Sequence, residues 1–284
     1  MRYTRACSVV FLCFVLVDSV FAKQIASPTT QASQVLQQSL AALTGGQTIT
    51  DVTLTGNVRR IAGSDDESGS ARFKALASGA SRTDFSLPSG PASELSNLTI
   101  APPTGAWSGP DGVAHAIVFH NLLSEPAWFF PAFAIARRLS NSGYIATYVG
   151  QETLEGQAVQ HISVSQTAPL PNPPSGATYE HLTEIDLFLD SKTLLPATIA
   201  FNIHPDNNAL LDIPVEVRFS DYRSVNGILV PFHVQKFLNN SLLLDFQAQT
   251  VTPNSGLSSA EFSVNVAASL PRRLFSPATA AVGL

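Results

Sequence analysis

Apolar and polar residues alternate through the last third of the chain, residues 183–266, in runs broken by short turns. Residues 184–190, 215–219, 228–237 and 242–249 place apolar side chains at alternate positions, the period of a strand with one buried face. Asn226-Gly227 and Asn239-Asn240 stand between these runs and Asn254-Ser255-Gly256 follows the last, residue types that tolerate the positive φ of a tight reversal. Strands joined by such turns pair antiparallel, and the apolar face of their sheet needs a cover.

Upstream, residues 31–43 carry Val35, Leu36, Leu40 and Leu43 at three- and four-residue spacing before Gly45-Gly46, which predicts an amphipathic helix. Residues 48–62, with Val52, Leu54 and Val58, predict a strand, and Gly-Ser-Asp-Asp-Glu-Ser-Gly at 63–69 predicts the turn of a hairpin. The carboxylates Asp65, Asp66 and Glu67 are consecutive and lack the later bidentate Glu of a calcium loop, so a solvated turn is the preferred reading. Residues 71–77 and 81–87 predict two more strands around Gly79-Ala80. After a turn at 107–112 the pattern changes, and residues 113–123 and 127–140 predict two helices. Pro131 suits the first turn of the second helix and Arg137-Arg138 suit its C-terminal end. Strands return at 144–149, 151–155 and 158–164, followed by a loop containing Pro169, Pro171, Pro173 and Pro174.

The two ends read differently. Residues 1–22 combine Arg2 and Arg5, an apolar run at 9–17 and Val20-Phe21-Ala22 as a small-residue cleavage pattern, which predicts a secretory signal peptide. The apolar run is about half of the ~20 residues a membrane span requires, so the mature protein is not expected to be an integral membrane protein. Bulky Leu12 before Cys13 argues against lipidation. Residues 267–284 lack a pattern and predict a flexible C-terminal tail. With neither an internal repeat nor a composition shift between them, residues 23–266 are expected to form a single domain with a helical insertion at about 113–140.

Composition narrows the chemistry. Cys7 and Cys13 both lie in the segment expected to be removed, leaving no thiol for a disulfide, a zinc–thiolate site or a nucleophile. Removing Arg2, Arg5 and Asp18 from the 16 basic and 21 acidic residues leaves a mildly acidic mature chain without clustered cations, which argues against nucleic acid as a partner. His115 and His120 are five apart, the wrong spacing for one helix or strand face, while His161, His181, His204 and His233 stand alone. Each is assigned an ordinary hydrogen-bonded or solvated role, and no metal site is expected. Serines are plentiful, but no nucleophile elbow surrounds one, and no glycine-rich loop carries a phosphate-binding lysine. Glu184 and Asp186 read as the polar side of a strand whose Ile185, Leu187 and Leu189 face inward. Catalytic residues and cofactors are therefore expected to be absent, and the protein is not read as an enzyme. The aromatic segment is the stronger signal. Trp128, Phe129, Phe130, Phe133 and Ile135 either pack into the core or lid an apolar cavity for an acyl chain, and they are the candidate ligand-binding residues.

Two stretches add a resemblance. Leu187-Phe188-Leu189-Asp190-Ser191-Lys192-Thr193-Leu194-Leu195-Pro196, and Phe219-Ser220-Asp221-Tyr222-Arg223-Ser224-Val225-Asn226-Gly227-Ile228-Leu229-Val230-Pro231-Phe232, resemble the LolA-like lipoprotein-carrier superfamily, with Asn254 and Phe262 where its last element would place them. The resemblance implies an α+β fold: a strongly curved antiparallel β-sheet, an unclosed barrel, with helices covering the concave face. It also implies an exported, periplasmic or secreted protein that binds or carries a lipid, acyl chain or lipoprotein, with an envelope protein as a possible partner. The alternative is a structural or protein-interaction module whose concavity is filled by its own side chains.

Overall fold

The computed structural model describes residues 27–167 and 176–263. The expected signal peptide, proline loop and C-terminal tail lie outside these residues. No helix among them is long and apolar enough to cross a membrane.

Helix α1 (Pro28–Thr44) begins where the Ser27 hydroxyl accepts the N–H of Thr30 at 3.3 Å and ends at left-handed Gly45, whose N–H returns to Ala41. Its buried stripe is Ala32, Leu36, Ser39 and Leu43, one face of a 3.6-residue repeat. From it the chain runs into six strands, β1 (Asp51–Ala62), β2 (Asp65–Leu76), β3 (Ala80–Leu87), β4 (Gly90–Asn97), β5 (Thr104–Ser108) and β6 (Ala114–Ala116). Short helix α2 (Phe119–Leu122) and helix α3 (Pro131–Ser140) follow, then β7 (Tyr144–Leu154), β8 (Gln157–Gln166) and helix α4 (Gly176–Thr183). The C-terminal part is the meander β9 (Ile185–Asp190), β10 (Pro196–Ile203), β11 (Ile213–Val225), β12 (Ile228–Leu238) and β13 (Ser241–Pro253), closed by a 3₁₀ turn at Ser259–Phe262.

All 13 strands form one antiparallel sheet in the order β6-β5-β4-β3-β2-β1-β13-β12-β11-β10-β9-β8-β7. Two meanders, β1–β6 and β7–β13, are joined along the β1–β13 seam, and β6 and β7 are left as edges, so the barrel is open. Helix α1 touches both β7 and β12. Those strands are five places apart in the sheet, about 24 Å if it were flat, while a helix is only about 10–12 Å across. The sheet must therefore curl around the helix. Its inner face carries Val52, Leu54, Phe73, Ile162, Leu187, Val217, Val230, Val234 and Phe246, all fully buried.

The meander turns form as their residue types require, with Asn226, Gly227, Asn239, Asn240, Asn254 and Gly256 all at positive φ. Three expectations are corrected. The acidic segment is not a turn: only Gly63 and Ser64 reverse the chain, and Asp65, Asp66 and Glu67 lie in β2 and pair with β1. Asp66 is met by Arg59 at 2.6 Å, and Glu67 accepts the N–H and hydroxyl of Ser89, each at 2.7 Å. The helix expected at 113–123 is a strand followed by one helical turn. The tight reversal at 109–112 folds β6 onto β5, where the His115 ring stacks on Trp107 at 4.3 Å. The second expected helix begins at Pro131 rather than 127.

The seam depends on a close approach. A β-bulge falls between Thr55 and Gly56, and a Cβ on Gly56 would lie 2.0 Å from the carbonyl oxygen of Gln247. Gly56→Ala is expected to destabilise the protein by about 2 kcal/mol or more in urea denaturation. Exposed Gly176, with nothing within 4 Å of its Cβ position, is expected to tolerate alanine within about 0.5 kcal/mol.

Candidate functional site

Because β6 and β7 are opposite edges, the chain linking them has to pass over the concave face, and α2, the aromatic segment and α3 make that crossing. All five candidate ligand-binding residues, Trp128, Phe129, Phe130, Phe133 and Ile135, are buried, none more than 5% exposed. Phe73 of β2 meets Trp128 at 5.6 Å and Phe129 at 5.0 Å, while Lys236 of β12 lies 4.5 Å from the Trp128 ring centre, so the aromatic segment rests on both sides of the seam. Phe130 and Phe133 stand edge to face at 4.7 Å. Phe129, Phe130 and Ile135 thus fill the space between sheet and helices.

A buried ion cluster fixes this segment. Oε2 of Glu125 receives Nη1 of Arg138 at 2.5 Å and Nη2 of Arg137 at 3.1 Å, while Oε1 accepts the N–H of Ala127 at 3.1 Å. Arg138 also donates to the carbonyl of Ala134 and lies 5.4 Å from the Tyr144 ring centre. The side chains of Glu125 and Arg138 are 1% and 2% exposed. Burial alone would raise the Glu125 carboxyl, but the two guanidiniums outweigh it and hold its pKa below the ordinary value. The start of the aromatic segment is thereby tied to the end of α3.

Open space lies at several places around the sheet and helices. An apolar cleft of about 410 Å³ runs between α1 and α3, bounded by Leu40, Ile49, Ala132, Phe133, Ala136 and Leu139. A pocket of about 230 Å³ beneath α2 is lined by Trp128, Trp107, Phe201 and Lys236. There the Lys236 ammonium sits 4.5 Å from the Trp128 ring centre; burial lowers its pKa, and Glu94 acts in the opposite direction. A polar groove of about 520 Å³ is lined by Arg72, Lys74, Arg82, Asp84 and Glu261, with Lys74 paired to Glu261 and Arg82 to Asp84. Of the five candidates, Phe133 lines the apolar cleft and Trp128 the smaller pocket. A volume of about 410 Å³ is in the range of small-molecule sites.

Ile185, Leu187 and Leu189 of β9 face inward as expected; on its polar side Asp186 meets Nε2 of His161 at 2.9 Å, and Glu184, just before the strand, accepts from Ser163. His161 also has Glu152 at 2.7 Å from Nδ1; burial pulls its pKa down, but the two carboxylates outweigh it, and the value is raised. His233 lies between Ser220 and Asp245, both at 3.0 Å. Two histidines that look isolated in the sequence come together. Nε2 of His181 lies 2.9 Å and Nε2 of His204 3.1 Å from the same Asp212 oxygen. His120 stands edge-on to His204 at 5.9 Å. The spacings among positions 120, 181, 204 and 212 follow no helix or strand period, so no linear signal could have found this cluster.

No protein-family model and no curated protein matches the chain, but solved structures do. A domain assigned to outer membrane lipoprotein sorting from Vibrio parahaemolyticus matches with a TM-score of 0.54 at 14% identity, over 82% of this chain and 97% of that one. A LolA superfamily protein from Nitrosomonas europaea gives 0.51 at 10% identity, over 82% and 97%. A DUF1329 family protein from Desulfovibrio piger gives 0.51 at 13% identity, over 84% and 98%. The fold is therefore LolA-like, over nearly the full length of each of these chains.

The Glu125 cluster generates a test. Glu125→Gln leaves Arg138 buried without its counter-charge and is expected to cost about 3–5 kcal/mol at pH 7 in urea denaturation. Since the folded pKa of Glu125 is depressed, its contribution is present above the ordinary value of 4.5 and is lost as pH falls through the folded value. The gap between variant and wild type is thus expected to narrow below pH 4.5, and a gap unchanged down to about pH 3 contradicts the assignment.

Proposed function

We propose that this chain is an exported binding protein, acting in the periplasm or after secretion, for a lipid, an acyl chain or a lipoprotein acyl group, which it carries without catalytic machinery. The observation that carries the reading is the apolar cleft of about 410 Å³ between α1 and α3 in a LolA-like sheet. In this cleft Leu40, Ile49, Ala132, Phe133 and Leu139 offer a hydrocarbon chain apolar contact, with Gln37, Thr44, Gln47 and Thr48 also on its lining. Outward displacement of α3 would extend it towards Phe130 and Ile135. An envelope protein would then serve as donor or acceptor of the cargo.

A second reading has its own support. Phe129, Phe130 and Ile135 are at most 1% exposed and fill the space between sheet and helices, as in an interaction module with a closed core. Mass spectrometry of solvent extracts from the natively purified mature protein separates the two, with a bound lipid expected. A fluorescent fatty-acid probe is expected to compete with that lipid. Ala136→Trp, which fills the cleft, is expected to weaken the probe by about tenfold or more with thermal stability unchanged. A protein with nothing extractable and no probe binding returns the module reading.

A further inference from the structure

We propose that His181, His204 and Asp212 form a binding site for a divalent first-row transition metal ion, with Zn²⁺ as the representative. Their donor atoms all lie within 4.8 Å of one another, and the Asp212 oxygen is 2.9 Å and 3.1 Å from the two Nε2 atoms. Zinc–nitrogen and zinc–oxygen bonds of about 2.0–2.2 Å at a tetrahedral angle place donors about 3.3 Å apart, so these side chains need only a small adjustment to enclose an ion.

The site is built from separate parts of the fold. His181 comes from α4, His204 directly follows β10 and Asp212 directly precedes β11. The backbone at His204 is clamped from both sides, Asn121 accepting its N–H and donating to its carbonyl, each at 2.8 Å. The His204 side chain is 1% exposed and its Nδ1 has no partner. The nitrogen that faces Asp212 is the other one, Nε2, and it is the atom offered to the ion. His181 and Asp212 are 36% and 42% exposed, which leaves an open side for a water or another ligand to complete the coordination.

The other histidines lack this arrangement. His161 has a carboxylate at each ring nitrogen, so the two acids flank the ring instead of converging on one point. Among the described residues, His181, His204 and Asp212 are the group whose donors converge. Two imidazoles and a carboxylate favour zinc, copper or nickel over calcium or magnesium, which take oxygen ligands. A bound ion would fasten α4 to the 204–212 loop, which carries exposed Leu210 and Leu211 and is held to α2 through Asn121.

The test uses the untagged mature chain, stripped with a chelator and titrated with ZnCl₂ by calorimetry alongside thermal melts. One Zn²⁺ per chain is expected, with a dissociation constant below about 10 μM and a rise in melting temperature. His181→Ala, at a partly exposed position, and Asp212→Asn are each expected to weaken binding by about tenfold or more, and His161→Ala to leave it unchanged. In NMR spectra, Zn²⁺ is expected to shift the imidazole signals of His181 and His204 but not those of His233. No one-to-one binding, or equal binding by wild type, His181→Ala and Asp212→Asn, overturns the site.

Discussion

The pairing of β1 with β13 is the constraint on which the rest of the molecule depends. Every other pairing in the sheet joins neighbours in sequence, whereas this one joins residues about two hundred positions apart and makes two meanders into one sheet. Its end is locked by polar contacts. Asp51 accepts the N–H and hydroxyl of Ser255, each at 2.7 Å, and the Asn254 side chain accepts the N–H of Thr50 at 2.8 Å. Burial works against the Asp51 charge, but these donors outweigh it, and the carboxyl pKa is lowered. Loop closure over such a distance is entropically costly, and apolar burial behind the seam offsets it: Phe73 and Phe246 meet across β1 with Trp128 and Phe129 above them.

The residues that carried the family resemblance turn out to hold turns and corners. Asp190 accepts the N–H groups of Lys192 and Thr193 and the Thr193 hydroxyl, making the reversal into β10, while the half-buried Tyr222 donates its hydroxyl to the carbonyl of Pro196 at 2.8 Å. Such contacts are set by a few side chains close in sequence or paired across one hairpin, so they leave a readable mark. That is why the sheet was legible while the pockets around α3 were not.

What sequence reading missed follows the same logic. Strand β4 has Leu95 as its only large apolar residue, and it is a strand because β3 and β5 pair on either side. Strand β10 buries Thr198 along with Ile199 and Phe201, which blurs the alternation. Helix α4 is short, with only Thr183 buried. The aromatic segment was legible as unusual, but the direction of each ring depends on which strands it crosses, and so on the seam. The convergence of His181 and His204 on Asp212 is set entirely by the tertiary fold.

The filled concave face bears on how a carrier could use it. An acyl chain entering between α3 and the sheet would have to displace Phe130 or Ile135, exchanging one set of buried carbon contacts for another. Each buried methylene is worth about 0.8 kcal/mol and each displaced aromatic or aliphatic side chain about 1.5–3 kcal/mol, so only a long chain gains more than it displaces. Such a site would discriminate by chain length. The Glu125 cluster sets where the movement must occur. Separating Glu125 from Arg138 would strand a buried charge, so the segment from Glu125 to Arg138 moves most cheaply as one unit. The α1–α3 contact, already open along an apolar cleft, is the interface that can part without breaking an ion pair.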